Sequence, residues 1–176
     1  MKNLLPLTYL LILLTILISL AFFLLKEILK KRNLETNLYD LQKKVREDKA
    51  TGLDHYLLGT IYLSKKLFDQ AIIQFRYALK KWDNTDKTGL ANLYNTIGFT
   101  YFEGEQYELA IYYYKEAIKN LDQYTTAWNN LGYAYEKRKM LQEALDSYRS
   151  VLSYDLTNEV ANGRFQTLQR RVKNSG

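Results

Sequence analysis

The sequence predicts an all-α protein: an α-solenoid of three helical hairpins, closed by a carboxyl-terminal capping helix and preceded by one amino-terminal transmembrane helix. Three observations predict it. A triplet of Gly, Tyr and Ala recurs at fixed offsets, as Gly59, Tyr62, Ala71, as Gly98, Tyr101, Ala110 and as Gly132, Tyr135, Ala144. Proline occurs once, at Pro6, which suits a chain helical nearly throughout. Leu4 to Leu25 is a run of 22 residues without a charge, dominated by Leu and Ile.

After a short tail, residues 1–3, the apolar run 4–25 would form a helix about 33 Å long, enough to cross a bilayer core of about 30 Å. A cleaved signal peptide is the alternative, and Ser19 and Ala21 do form a small-x-small pair. The run exceeds the usual signal core, continues past Ala21, and has only Lys2 as a preceding basic residue. An uncleaved anchor in the lipid bilayer is therefore expected. Lys26, Lys30, Lys31 and Arg32 follow it, and the positive-inside bias places what comes after on the cytoplasmic side, or its organellar equivalent.

Residues 26–51 read as a basic juxtamembrane helical stalk. Leu34, Leu38, Leu41 and Val45 fall at spacings of four, three and four, on one helical face. A coiled coil or a docking helix for a membrane partner is the other reading. Two heptads are too few for a coiled coil, so a stalk packed on the first repeat is favoured.

The repeats follow in 34-residue units, 52–85, 91–124 and 125–158, with an insertion at 86–90 between the first two. The first helix of each hairpin carries Trp128, Leu131, Gly132 and Tyr135 in the third unit. The second unit has Tyr94, Ile97, Gly98 and Tyr101 there, and the first His55, Leu58, Gly59 and Tyr62. The second helices carry Phe68, Ala71, Phe75, Ala78, then Tyr107, Ala110, Tyr114, Ala117, then Leu141, Ala144, Tyr148, Val151. Glycine inside a helix costs about 1 kcal/mol against Ala, so three of them need a packing reason. Gly and Ala let the paired helices approach, and the large residues fill the volume beside them.

Composition narrows the function classes. No cysteine and a single histidine, His55, leave no disulfide, thiolate zinc site or cysteine nucleophile, and make a histidine metal site improbable. The net charge of +6 resides mostly outside the repeats, where twelve basic face thirteen acidic residues over 52–158. That distribution argues for a membrane-related or solubilising role and against nucleic acid. No nucleophile elbow, phosphate loop or metal spacing is present, so no enzyme activity, cofactor or metal is expected. Asp54 and His55 are sequence neighbours and do not face each other on a helix. Glu103, Glu105 and Glu108 read as a solvated corner, and Lys137, Arg138 and Lys139 as a solvated turn. Residues 159–176 read as a capping helix and tail: Ala161, Phe165, Leu168 and Val172 form an apolar stripe, with Arg164, Arg170, Arg171 and Lys173 on or near the other face. A partner-binding amphipathic helix is the alternative there.

These units resemble the tetratricopeptide repeat. They depart from it at the closing proline, replaced by Asp83, Asp122 and Leu156, and at His55, where a large apolar residue is usual. The resemblance implies a concave surface lined by fixed positions of the first helices, hence a partner-binding groove. Its candidates include Tyr56, Thr60, Leu63, Asn92, Asn95, Phe99, Phe102, Asn129, Tyr133, Glu136 and Lys137. Phe99, Phe102 and Tyr133 lie off the packing face and are candidate aromatic anchors, unless neighbouring repeats or the stalk bury them. Asn95 and Asn129 are equivalent and suited to a peptide backbone. Co-chaperones with this repeat grip acidic tails through a Lys, Asn and Arg clamp; at the matching places stand Tyr56, Thr60, Thr96, Tyr133 and Lys137, of which only Lys137 agrees, so chaperone-tail binding is disfavoured.

The whole architecture resembles a plastid and cyanobacterial membrane-anchored family, named after hypothetical chloroplast reading frame thirty-seven and linked to photosystem I accumulation. The abundance of Tyr, Lys, Asn, Leu and Ile, as from an AT-rich genome, agrees with a plastid source. The resemblance implies an assembly or stability factor in the thylakoid membrane, its groove facing the stroma and its partners photosystem I subunits or assembly intermediates. An anchored factor of bacterial or organellar import, secretion or envelope assembly is the other expectation.

Overall fold

The computed structural model describes residues 4–174; the tail at 1–3 and the last two residues lie outside the described residues. Eight helices follow one another: α1 (Leu4–Arg46), α2 (Gly52–Ser64), α3 (Phe68–Lys81), α4 (Lys87–Glu103), α5 (Tyr107–Asn120), α6 (Thr125–Lys137), α7 (Leu141–Tyr154) and α8 (Glu159–Asn174). Substantial contacts run between sequence neighbours, save for α4 against α6. A fold whose elements touch mainly their neighbours is a solenoid.

Helix α1 is one uninterrupted rod of 43 residues. Pro6 falls in its first turn, where its missing N–H breaks no intrahelical bond. Its most apolar stretch reaches a mean hydropathy of 2.7 and none of it is buried by the rest of the protein. Leu7 through Leu25 thus presents Leu, Ile and Phe side chains that no other element covers. A surface that apolar needs lipid or protein around it. Beyond it Leu34, Leu38, Leu41 and Val45 pack on Leu58, Ile61 and Tyr62 of α2. Lys44 Nζ pairs with Asp54 Oδ1 at 2.6 Å and Lys65 Nζ with Glu35 Oε1 at 2.6 Å. Residue 44 beside 54 and 35 beside 65 make α2 antiparallel to α1.

Asp54 also closes the α2 capping box, receiving the Thr51 backbone N–H while Thr51 Oγ1 accepts from the Asp54 N–H. The Lys44 ammonium, then the Thr51 backbone N–H, hold its carboxyl down at about 2. One side chain therefore starts the first repeat and fastens the stalk to it.

The hairpins α2–α3, α4–α5 and α6–α7 repeat one contact. A Cβ placed on Gly59 would lie 2.5 Å from the Phe75 ring, on Gly98 2.7 Å from Tyr114, and on Gly132 2.9 Å from Tyr148. The space each glycine leaves is filled by the aromatic from the facing helix. Those three rings are fully buried, as are Ala71, Ala110 and Ala144. Tyr62 and Tyr101 are half-buried beside them, and Tyr135 is buried. Trp128 packs at the rim of the last core and donates Nε1–H to the Asp122 carbonyl at 2.7 Å. His55 is also core: its Nδ1 meets Gln74 Oε1 at 2.8 Å and its ring stacks on Tyr77.

Each hairpin turn closes in the same way. The N–H groups of Leu67, Gln106 and Met140 reach back to the carbonyls of Tyr62, Tyr101 and Tyr135. The preceding Lys66, Glu105 and Lys139 adopt left-handed φ of 59°, 59° and 60°. This is the Schellman way of satisfying terminal carbonyls. Two unit ends close through an Asp side chain, without proline. Asp83 Oδ1 takes both the N–H and Oγ1–H of Thr85, and Asp155 Oδ1 does the same for Thr157. Residues 86–90 are the cap and first turn of α4: Asp86 accepts from the Gly89 N–H and Leu90 is buried, so they lengthen the helix. Helix α8 covers the last hairpin through buried Ala161 and Leu168, with Phe165 and Val172 packed beside them.

Candidate protein-binding groove

Helices α4 and α6 lie parallel, as three cross-contacts show. Tyr124 O–H donates to Asn92 Oδ1 at 2.7 Å, Asn130 Nδ2 donates to Asn95 Oδ1 at 3.0 Å, and the Phe102 and Tyr133 rings lie 5.1 Å apart. Toward the first repeat, the Tyr56 and Thr96 hydroxyls stand 3.5 Å apart, and Tyr56 packs on Phe75 and Trp82. These side chains form a floor across the first helices of the hairpins.

The candidates divide into those that face out and those committed inward. Phe99 is 41% exposed and Tyr133 37%, at equivalent places on adjacent helices. Tyr133 is flanked by two cations, Lys137 Nζ at 5.3 Å and the Arg164 guanidinium at 5.2 Å from its ring. Phe102 is half-buried between Tyr107 and Tyr133 and packs on the last core, so it serves as floor. Leu63 packs on the core of the first hairpin. Thr60 spends its hydroxyl on the Leu57 carbonyl.

Glu136 is drawn inward as well, accepting from Tyr148 O–H at 2.7 Å and Arg164 at 3.5 Å. Burial first, and this hydrogen bond second, push the Tyr148 hydroxyl far above the usual tyrosine range. The two asparagines differ although their positions match. Asn95 Oδ1 already holds Asn130, whereas Asn129 Oδ1 is shielded from solvent and has no hydrogen-bond partner. An orphan acceptor costs free energy until a donor reaches it.

Sequence reasoning missed Tyr124, Asn130 and Arg164 as parts of this surface. Tyr124 precedes the helix whose periodicity was followed, and burial, then the nearby Tyr56, raise its hydroxyl above the ordinary value. Arg164 comes from α8 and reaches the groove because the cap folds over the last hairpin. Its place on the polar face of an amphipathic helix was the available signal. Among the described residues no three His, Asp or Glu side chains gather to hold a metal ion.

Comparison with known proteins bears on this geometry. Tetratricopeptide repeat family models match residues 52–123 and 125–158. The chain is 46% identical to the ycf37 protein of Guillardia theta over 172 residues, covering 98% of this chain and 97% of that one. The chain belongs to the ycf37 family of tetratricopeptide repeat proteins. It is also 37% identical to the chloroplastic tetratricopeptide repeat domain-containing protein PYG7 of Arabidopsis thaliana, across 95% of this chain but 55% of that longer one. Among solved structures, it superposes on YrrB, described as a TPR protein with an unusual peptide-binding site, with a TM-score of 0.69, covering 82% of this chain and 72% of that one, at 23% identity. That likeness establishes the solenoid fold. The repeat is a non-catalytic protein-interaction scaffold, and this family member carries it behind a helix long and apolar enough to cross a membrane.

Proposed function

We propose that the chain is a membrane-anchored scaffold that holds photosystem I subunits or assembly intermediates at the stromal face of the thylakoid membrane. The observation that carries the scaffold is the outward pair Phe99 and Tyr133 above a hydrogen-bonded floor. Rigid aromatics over a polar floor suit a protein segment whose side chains pack against the rings. The exposed apolar face of α1 supports the anchor, and Lys26, Lys30, Lys31 and Arg32 support the stromal orientation. Photosystem I as partner is supported by the resemblance of the whole architecture, and a plastid setting by the chloroplastic relative. Anchoring raises the local concentration of membrane-bound partners, so a shallow groove suffices.

The test is capture with the tagged full chain from mildly solubilised thylakoids, followed by mass identification. Photosystem I polypeptides are expected. Their absence, or recovery of import or secretion components instead, overturns the assignment. Alkaline extraction should leave the chain in the membrane, and protease added from the stromal side should digest the repeats.

A further inference from the structure

We infer that the basic collar of α1, together with the first hairpin turn, is a recognition surface for anionic lipid headgroups that seats the repeats directly on the leaflet. This rests on reading residues 4–25 as a bilayer span. The collar comprises Lys26, Lys30, Lys31 and Arg32, all exposed, with Glu27 the single acid among them. None of the four forms an ion pair among the described residues, whereas Lys44, Lys65 and Lys81 all do. Successive helical residues turn by about 100°, so the four are spread over about 240° of the circumference. A protein partner would meet basic residues on one side; headgroups meet a helix all round.

The dimensions agree. Lys26 to Arg32 spans about 9 Å of helix, close to the roughly 5–8 Å of headgroup layer on each side of the hydrocarbon core. The helix continues unbroken into the stalk, so height above the bilayer is set by residue count. Because α2 runs antiparallel to α1, it descends toward the membrane and ends in the turn Lys65, Lys66, Leu67. Lys65 is held at the level of Glu35, about 15 Å above the hydrocarbon edge and within about one Debye length of the headgroups. Lys66 stands exposed in its left-handed turn, and Leu67 beside it is 42% exposed. The opposite edge of the same hairpin is far away. Lys81, at the end of α3, reaches Asp48 and the Ala50 carbonyl at the far end of the stalk. The middle hairpin turn carries Glu103 and Glu105; in the last turn Arg138 pairs with Glu108 and Lys137 lies over Tyr133, and the turn that packs beside the stalk is the first.

The chain has no cysteine, so single labels can be placed at will. The full chain carrying a fluorophore at Ser64→Cys, or at Asn84→Cys on the distal edge, is reconstituted in nanodiscs. Phosphatidylglycerol or phosphatidylcholine, each with a headgroup nitroxide, is added as quencher at equal mole fraction. Stronger quenching of the Ser64→Cys label by phosphatidylglycerol is expected, lost at high salt, with the Asn84→Cys label unquenched. Replacing the four collar residues with Gln should lower the phosphatidylglycerol preference about five-fold per charge removed. The double variant Lys65→Gln, Lys66→Gln, whose collar is intact, should lower it less while leaving helicity unchanged. Equal quenching by the two lipids, or equal quenching at the two labels, overturns the inference while leaving the anchor intact. A chain that fails to migrate with the discs overturns both.

Discussion

Helices α2, α4 and α6 each carry two faces with opposite habits. The face toward the hairpin partner is the same three times: Gly59, Gly98 and Gly132, each under one aromatic ring. The concave face varies: Thr60, Phe99 and Tyr133 at one position, Leu63, Phe102 and Glu136 at another, and Tyr56, Asn95 and Asn129 at a third, where the two asparagines match in type but not in hydrogen bonding. Hairpin packing is a local steric problem with one solution, repeated. A groove that must recognise a particular partner needs a different group at each step along it. Repetition therefore marks what the fold requires, and departure from repetition marks where specificity can reside.

The largest effect should come from breaking the repeated face. Gly98→Leu drives a branched side chain into the Tyr114 ring, which is fully buried and has nowhere to move. A loss of about 3 kcal/mol or more is expected, read as a lower urea midpoint. Gly98→Ala is the finer probe. Helix propensity alone would make it stabilising by about 1 kcal/mol. A Cβ 2.7 Å from the ring makes it destabilising instead. A rise in the midpoint would show that Tyr114 yields.

Breaking the varied face should leave the fold in place. Phe99→Ala with Tyr133→Ala removes two partly exposed rings, so a stability cost of about 1–2 kcal/mol is expected, smaller than that of Gly98→Leu. Partner capture should fall at least about thirty-fold, as for loss of a central hot spot of about 2 kcal/mol. Loss of helicity would assign the rings to the core.

The two faces were not equally legible in the sequence. The hairpins were, because Gly, Ala and the ring lie within one unit and their spacing states the contact. The long apolar helix α1 was legible for the same local reason. The floor was not, since Asn92 meets Tyr124 and Asn95 meets Asn130 only through the stacking of successive units. Arg164 reaches Tyr133 and Glu136 only through the docking of α8. Treating one helix at a time could place Glu136 on the concave face. It could not show that the Tyr148 hydroxyl would draw its carboxylate inward.

A third, smaller effect concerns the junction of stalk and first repeat, where charge takes the place of the glycine–ring contact. Asp54 is held down at about 2 by Lys44 and the Thr51 backbone, below its ordinary 3.8. A depressed carboxyl contributes stability fully above its unfolded value and loses it as pH falls through its folded one. Docking should therefore weaken between about pH 4 and pH 2, read by hydrogen exchange of the α2 amides. Asp54→Asn should cost about 1 kcal/mol at neutral pH and flatten that acid response. An unchanged response would place the titration elsewhere.

The smallest effect tests whether the ring, rather than the glycine, defines the packing face. Gly163 lies inside α8, and a Cβ there would meet nothing within 4 Å. It carries the same helix penalty as Gly59, Gly98 and Gly132 without the contact that offsets it. Gly163→Ala should therefore raise stability by up to about 1 kcal/mol, the opposite sign to Gly98→Ala. The two substitutions add the same atoms to the same kind of backbone, so their difference isolates the Tyr114 contact from propensity. If both raise the urea midpoint equally, the steric account of the repeated glycines fails.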